Sequence, residues 1–206
     1  MASKYVQVVR VYKQKTKSPI PKENKTVIPR DRTSNEALTE EDVRILINAC
    51  TDLLDRTALI LGFNSGMRVS EITHIDVGMI DFENERIKIW DEKKDRYRVV
   101  YPGKVAMSMI SLYMKEKNIK GPRLFDLNEK TLERHFQKLT SSALNDKRSW
   151  HTVRHTYITI CSRRRIDHKI IMENTGDSLQ TIMRVYNNPS PEDMRINALD
   201  IGRELN

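Results

Sequence analysis

The stretch that decides how this chain folds and works is His151-Thr152-Val153-Arg154-His155-Thr156. His151 and Arg154 stand three residues apart at a predicted helix start, so both side chains can face one pocket. Further out lie Gly66-Met67-Arg68-Val69-Ser70-Glu71 upstream and Arg184-Val185-Tyr186 downstream. Two arginines, a histidine and a late tyrosine form a set that can hold a phosphodiester and attack it.

The residue types of this set fit the chemistry of phosphoryl transfer. A phosphodiester is negatively charged and its pentavalent transition state more so, which calls for preorganised cations. The planar fork of arginine donates two parallel hydrogen bonds to phosphate, so Arg68 and Arg154 are the expected clamp. His151 titrates near neutrality and can move a proton. The phenol of Tyr186, deprotonated beside the cations, can form a covalent bond to phosphorus.

Each of these residues also has an ordinary structural interpretation. Arg68 can pair with Glu71, three residues on along the same helix face. His151 can cap its helix, and a tyrosine at a helix end is often half-buried packing. Lysines on the next hairpin could protonate a leaving oxygen, but a hairpin tip is usually a solvated turn. The residues taken one by one leave both interpretations open.

The charge of the chain points to an acidic partner. Its net charge is +8 and its pI about 9.5, so nucleic acid is the expected partner and a merely solvated basic surface the alternative. Residues 1–35 hold nine basic and two acidic residues and read as a basic extension or linker. A second basic stretch, 147–169, supplies the predicted DNA contacts: Lys147, Arg148, Arg163 and Arg164.

Several classes of protein are excluded by composition. Two cysteines, Cys50 and Cys161, give neither a metal-binding spacing nor a disulfide framework. No apolar run approaches the roughly 20 residues of a membrane span, and no signal peptide is recognisable. We therefore expect an intracellular, cytoplasmic protein with no cysteine-based metal site and no membrane partner.

The hydrophobic periodicity predicts a mainly α protein with one small antiparallel sheet, an α+β domain over 36–206. Strands are expected near 80–82, over 86–90 and over 96–101, with a polar turn at 91–95 between the last two. Helices are expected over 39–50, 52–63, 68–72, 105–117, 129–144, 153–164, 169–173, 178–186 and 191–205, the last of them amphipathic.

The combination of motifs resembles the tyrosine recombinase, or phage-type integrase, family. It consists of Arg68-Val69-Ser70-Glu71, a lysine on the next hairpin, His151-x-x-Arg154-His155-Thr156 and a later tyrosine, and it covers the family's C-terminal catalytic domain at about 37–206. The resemblance implies a site-specific DNA recombinase of a mobile element, an integrase that cleaves and rejoins DNA through a 3′-phosphotyrosyl intermediate. It also implies double-stranded DNA as partner and self-association on DNA as a synaptic dimer or tetramer. No metal or other cofactor would be needed, since the phosphotyrosine conserves the bond energy.

The resemblance also assigns roles to individual residues. Tyr186 would be the nucleophile, the two arginines would clamp the phosphate, and His151 would assist proton transfer. Lys94, or else Lys93, would protonate the leaving 5′-hydroxyl. Glu71 and His155 would support the residues that touch the phosphate.

One position departs from the family pattern. Nine residues before the tyrosine the family usually has histidine or tryptophan, and this chain has Asp177. An ionised aspartate cannot donate to phosphate, so we expect Asp177 to act as the N-cap of the last helix before Tyr186, together with Gln180, and activity to be retained. A slow or differently tuned recombinase, a catalytically impaired DNA-binding homologue and a type IB topoisomerase-like enzyme are the alternatives. The short N-terminal part indicates either a piece of a longer recombinase or a minimal one.

Overall fold

Eight α-helices and one three-stranded sheet make up residues 37–186, the part of the chain that this computed structural model describes. For Lys93 and Tyr186 only the backbone is described. The predicted basic extension at 1–35 and the predicted helix at 191–205 lie outside the described residues. Within them the predicted fold class is confirmed, and no predicted helix boundary differs from the observed one by more than two residues.

The elements follow one another in the order α1–α3, β1–β3, α4–α8. The helices are α1 Glu40–Ala49, α2 Leu53–Ser65, α3 Val69–Thr73, α4 Gly103–Glu116, α5 Glu129–Leu144, α6 His151–Arg163, α7 His168–Thr175 and α8 Leu179–Tyr186. The strands are β1 Ile80–Asp81, β2 Arg86–Asp91 and β3 Arg96–Val100. They pair antiparallel in the order β1-β2-β3, and Ile89 of β2 lies opposite Arg98 of β3. None of the described helices is long and apolar enough to cross a membrane.

Local signals in the sequence explain where the first helices begin and end. Thr39 and Asp42 form a reciprocal capping box at the start of α1: Asp42 N donates to Thr39 Oγ1 at 3.1 Å and Thr39 N to Asp42 Oδ2 at 2.9 Å. Helix α2 ends at Gly66, which has φ 65° and whose N–H donates to the carbonyl of Gly62. A Cβ at Gly66 would lie 2.5 Å from Tyr157 Cδ1, so only glycine fits this reversal, which places Arg68 directly after α2.

The sheet buries one face and exposes the other, with the period of two that strands require. Ile87, Ile89 and Asp91 of β2 are buried, as are Arg98 and Val100 of β3. The strand β2 therefore continues through Asp91, which the sequence placed in the polar turn. The turn itself is a short 3-10 helix over Glu92–Lys94, closed by a left-handed residue.

Two hydrophobic cores hold the helices together. The larger core includes residues from α1 to α6 and the sheet. A second, small cluster consists of Tyr157, Ile158, Ile171 and Ile182, and it is where the last described helix, α8, packs against α6 and α7. The backbone of Tyr186 is therefore positioned through this small cluster rather than through the main core.

Candidate active site

Arg68 is held at the start of α3 by Glu71. Its backbone N–H donates to Glu71 Oε2 at 2.7 Å, and its Nη1 donates to Glu71 Oε1 at 2.9 Å. The side chain nevertheless remains 27% exposed, so its guanidinium can still contact a ligand from solvent. The pairing with Glu71, which the sequence offered as the alternative to a phosphate contact, is present and leaves room for both roles.

Arg154 is almost fully buried and is brought to Arg68 by backbone carbonyl groups. Its Nη1 donates to the carbonyl of Gly66 at 2.7 Å, two residues before Arg68, and its Nη2 donates to that of Thr175 at 2.6 Å. Burial lowers the pKa of Arg154, and hydrogen bonding to Asp177 opposes this shift. The two arginines, called the arginine clamp below, thus come together from α6 and from the residue that precedes α3.

Asp177 lies between the two arginines. Its Oδ1 is 2.6 Å from Arg154 Nη2 and 3.4 Å from Arg68 Nη2, while its Oδ2 accepts from Arg154 Nε at 3.0 Å. The prediction that Asp177 caps the following helix is wrong, because the hydroxyl of Ser178 accepts from the N–H of Thr181 at 3.3 Å in that place. The carboxylate binds the clamp instead of the helix end.

A buried ionic network of Glu71, Asp91 and Arg98 lies beneath Arg68. Nη2 of Arg98 is 2.9 Å from both oxygens of Glu71. Asp91 is fully buried and accepts no hydrogen bond from the described residues; its oxygens lie 3.6 Å from Arg68 Nη1 and 3.9 Å from Arg98 Nε. Glu71 thus links Arg68 to Arg98, and its role in supporting catalysis stays a prediction.

Sequence reasoning missed Asp91 and Arg98. The signal was present, because Asp91 is in phase with the inward Ile87 and Ile89, and Arg98 is in phase with the inward Val100. The five polar residues 91–95 resemble a turn as a whole, although the alternation of the strands extends to Asp91. A charged residue at an inward strand position is unusual unless it is paired, and here it marks the network under the site.

His151 is the first residue of α6 and is exposed. The helix start is fixed by Trp150, whose N–H donates to Glu133 Oε2 at 2.9 Å and whose indole Nε1 donates to the carbonyl of Met67 at 3.4 Å. The capping position belongs to Trp150, so His151 does not cap this helix, and its ring is available on the surface.

His155 lies one turn further along α6. Its ring centroid is 6.4 Å from that of His151. Its Nδ1 is buried and finds no hydrogen-bond partner among residues 37–186. Burial lowers the pKa of His155, and the proximity of His151 lowers it further. The charged form of His155 is therefore disfavoured, and its ring lies beside the histidine that was predicted to move a proton.

The hairpin lysines and the tyrosine lie on two different elements. Lys94 closes the exposed turn that begins directly after Asp91, and Asp91 lies close to Arg68. Lys93 belongs to the same turn. Tyr186 is the last residue of α8, two turns after the loop that contains Asp177. Their roles in catalysis stay predictions.

Three of the four basic residues predicted to contact DNA are on the surface. Lys147, Arg163 and Arg164 are exposed, and Arg164 Nη2 donates to Glu40 at 3.0 Å. The prediction for Arg148 is wrong, because its side chain is fully buried. Its Nε donates to Asp146 Oδ2 at 2.7 Å, so this arginine is part of the interior and does not face a DNA backbone.

No group of three or more His, Cys, Asp or Glu side chains in the described part of the chain has an arrangement that could hold a metal ion. The cations at this site are side chains, in particular Arg68 and Arg154.

Residues 36–193 match the model of the phage integrase family. The chain is 27% identical over 177 residues to the tyrosine recombinase XerA of Saccharolobus solfataricus, covering 86% of this chain and 58% of that protein. It is 30% identical over 173 residues to the tyrosine recombinase XerC of Chlamydia muridarum, covering 74% of this chain and 54% of that protein. The chain therefore spans little more than half the length of these relatives.

Solved structures share the fold. The crystal structure of XerA recombinase superposes with a TM-score of 0.70 at 20% identity, covering 92% of this chain and 71% of that one. The Tn1549 transposon integrase in complex with a circular intermediate DNA gives a TM-score of 0.65 at 16% identity, with coverages of 82% and 67%. At 16% and 20% sequence identity, the structural similarity shows that the fold is shared.

Proposed function

The chain belongs to the phage integrase family, and on that premise we propose that it forms the catalytic part of a site-specific DNA recombinase. The observation that carries the proposal is the convergence of Arg68 and Arg154 on one small anion, the carboxylate of Asp177. Two guanidinium groups that share a carboxylate can share the non-bridging oxygens of a phosphodiester in the same way.

The reaction is a pair of phosphoryl transfers that conserve the energy of the phosphodiester bond. The hydroxyl oxygen of Tyr186 attacks the scissile phosphorus, the phenolic proton departs with help from His151, and the bond to the 5′-oxygen breaks. The leaving oxygen takes a proton from Lys94 or Lys93. The arginine clamp stabilises the charge that develops on the phosphate. A 5′-hydroxyl of a second strand then reverses these steps, releases the tyrosine and leaves the strands exchanged.

The position of α8 supports this assignment of the nucleophile. The helix begins two residues after Asp177, which touches both clamp arginines, and it ends at Tyr186. A single short helix therefore connects the anion position to the tyrosine. Ile182 at its centre is fully buried in the small core cluster, so the helix is tied to α6, which carries Arg154.

The substrate is double-stranded DNA, and the active unit is an assembly of copies of the protein on that DNA. Strand exchange needs a second broken strand, so at least two catalytic domains have to meet in a synaptic dimer or tetramer. The net charge of +8 and the exposed Lys147, Arg163 and Arg164 favour binding to a phosphate backbone. The enzyme acts in the cytoplasm on the DNA of its host cell or of a mobile element.

The test is capture of the covalent intermediate. Nicked suicide duplexes, taken from the DNA that flanks the gene, are incubated with the protein and separated on a denaturing gel. The expected result is a protein–DNA adduct that disappears in Tyr186→Phe. The matched control is Tyr101→Phe, which changes an exposed tyrosine of the sheet region and should leave the adduct intact.

Other outcomes identify the alternatives. An adduct that persists in Tyr186→Phe would assign the nucleophile to another residue. Good DNA binding with no adduct would indicate a DNA-binding homologue that has lost catalysis. Relaxation of supercoiled DNA at any sequence would indicate a type IB topoisomerase activity.

A further inference from the structure

We propose that Asp177 is an internal counter-anion that occupies the phosphate position of the arginine clamp, so that a phosphate oxyanion binds only by displacing its carboxylate. The inference rests on the proposed function for its ligand, the scissile phosphodiester. It goes beyond that function because it gives this chain a competitor for its own substrate, at a position where the sequence departs from the family pattern.

The geometry of the contact is that of a bound oxyanion. The two oxygens of Asp177 contact Nε and Nη2 of Arg154, at 3.0 and 2.6 Å. This edge of a guanidinium presents two parallel N–H groups and is one that a carboxylate or a phosphate can occupy in a bidentate manner. Oδ1 also reaches Nη2 of Arg68 at 3.4 Å. The carboxylate oxygens thus stand where two non-bridging oxygens of a phosphate would bind both arginines.

Arg154 has too few remaining donors to bind a phosphate beside Asp177. A guanidinium carries five N–H groups. Four of those of Arg154 are already used, two by the carbonyl groups of Gly66 and Thr175 and two by the oxygens of Asp177, so a single N–H of Nη1 remains. The carbonyl contacts fix the position of the arginine, so the edge that Asp177 covers is the one that a ligand can use.

The charge balance of the site leads to the same conclusion. Three guanidinium groups and three carboxylates meet here: those of Arg68, Arg98, Arg154, Glu71, Asp91 and Asp177. The set is formally neutral, so a phosphodiester that enters beside it adds an uncompensated negative charge in a partly buried place. If the carboxylate of Asp177 moves out, the phosphate restores the balance.

Of the three carboxylates, Asp177 is the one that can leave. Glu71 is 4% exposed and bound by two arginines, and Asp91 is fully buried. Asp177 is 11% exposed and lies in the short loop between α7 and α8. A change in this loop moves one carboxylate toward solvent without opening the buried ionic network.

The experiment measures the binding of inorganic phosphate through thermal unfolding, which requires no strand cleavage. The wild-type chain is compared with Asp177→Asn and Asp177→His, which remove the carboxylate. The matched control is Glu83→Gln, which removes one negative charge from an exposed residue at the other end of β2. Each protein is unfolded in phosphate-free buffer and in a phosphate titration.

We expect both Asp177 variants to unfold at a lower temperature without phosphate, because buried Arg154 loses its counter-anion. Phosphate should restore their unfolding temperature, with an apparent dissociation constant at least about tenfold lower than that of the wild type. Glu83→Gln should respond to phosphate as the wild type does. In strand cleavage the Asp177→His variant should form the adduct faster than the wild type, because the phosphate no longer has to displace a carboxylate.

The outcomes separate this inference from the proposed function. Equal phosphate binding by the wild type and both variants would overturn the counter-anion role, as would variants that fail to fold both with and without phosphate. Variants that fold only in phosphate would support it. If no protein forms a DNA adduct but phosphate rescues the variants, the recombinase proposal fails while the displacement by an oxyanion stands.

Discussion

Nη2 of Arg98 lies 2.9 Å from both carboxylate oxygens of Glu71, and both side chains are 4% exposed. The contact joins the sheet to α3, the helix that directly follows Arg68. Nη1 of the same guanidinium donates to the carbonyl groups of Glu173 and Asn174 near the end of α7. One side chain of β3 therefore ties together three of the elements from which the site is built.

Replacing Arg98 should damage both stability and cleavage. Arg98→Gln removes the buried cation beside Glu71 and Asp91 and leaves them only the partly exposed Arg68, which costs about 3–5 kcal/mol of unfolding free energy. Arg98→Lys keeps the charge but lacks the fork, so it should lose less stability and still misplace Arg68. Urea unfolding and adduct formation measure the two effects. The control Arg96→Gln, at an exposed site on the same strand, should change stability by no more than about 0.5 kcal/mol. A fully stable Arg98→Gln would contradict the importance of this contact.

Gly176 should be intolerant of a side chain for two separable reasons. Its φ is +72°, and a Cβ there would lie 2.7 Å from Asp91 Oδ2 and 3.0 Å from Arg98 Nε. Gly103 has a similar φ of +79° but no atom within 4 Å of such a Cβ. Both alanine variants should lose about 1–2 kcal/mol from the left-handed backbone. Gly176→Ala should lose more, because its Cβ presses on the ionic network. Equal losses of unfolding free energy in the two alanine variants, by thermal or urea unfolding, would show that the ionic network makes room for the Cβ at no energetic cost.

Much of this arrangement follows from local rules, and the remainder depends on contacts between distant residues. The helix that starts at Thr39 and the helical spacing around Arg154 depend on neighbours in sequence, and they were predicted. The burial of Arg148 and the pairing of Asp177 with the clamp depend on which segments meet in three dimensions. The basic residues of 147–169 therefore led to the prediction of a DNA-binding face, but Arg148 was wrongly included in it because its burial depends on tertiary contacts.

Lys147 and Arg148 are adjacent in sequence and should respond oppositely to loss of charge. Lys147 is exposed, so Lys147→Gln should weaken DNA binding at low salt without changing stability. If its ammonium neutralises one phosphate, the slope of log K against log salt should fall by about 0.9. Arg148→Gln leaves Asp146 without its partner and should lower the unfolding temperature while the salt slope stays the same. Fluorescence anisotropy of a labelled duplex over a range of NaCl concentrations, with thermal unfolding, makes the comparison. A reduced salt slope in Arg148→Gln would contradict its buried position.

His155 should make the folded protein sensitive to mild acid. Burial, and then the proximity of His151, lowers the pKa of His155 below its ordinary 6.5. Between the lowered value and 6.5 the unfolded chain binds a proton that the folded one does not, so unfolding becomes easier as pH falls through this window. The stabilisation is fully present above about 6.5 and is lost toward the folded pKa. Urea unfolding from pH 8 to pH 5 should show a smaller decline in His155→Phe than in the wild type. Identical pH profiles would mean that His155 titrates alike in both states.

Lys94 should be the acid that protonates the leaving 5′-oxygen. It is the last residue of the short 3-10 turn that starts directly after Asp91, and the carboxylate of Asp91 is 3.6 Å from Arg68 Nη1. Loss of a general acid slows cleavage by about 10²–10⁴-fold. In a substrate with sulfur in place of the bridging 5′-oxygen, the leaving group departs as a thiolate and needs no proton, since thiols ionise near pH 8.5.

Lys94→Ala should therefore form adduct slowly on ordinary DNA and rapidly on the sulfur-bridged duplex. Lys93→Ala is the matched control on the same turn and should be little changed on either substrate. Rescue of Lys93→Ala instead would assign the acid to Lys93, and rescue of neither would place the proton donor outside this turn.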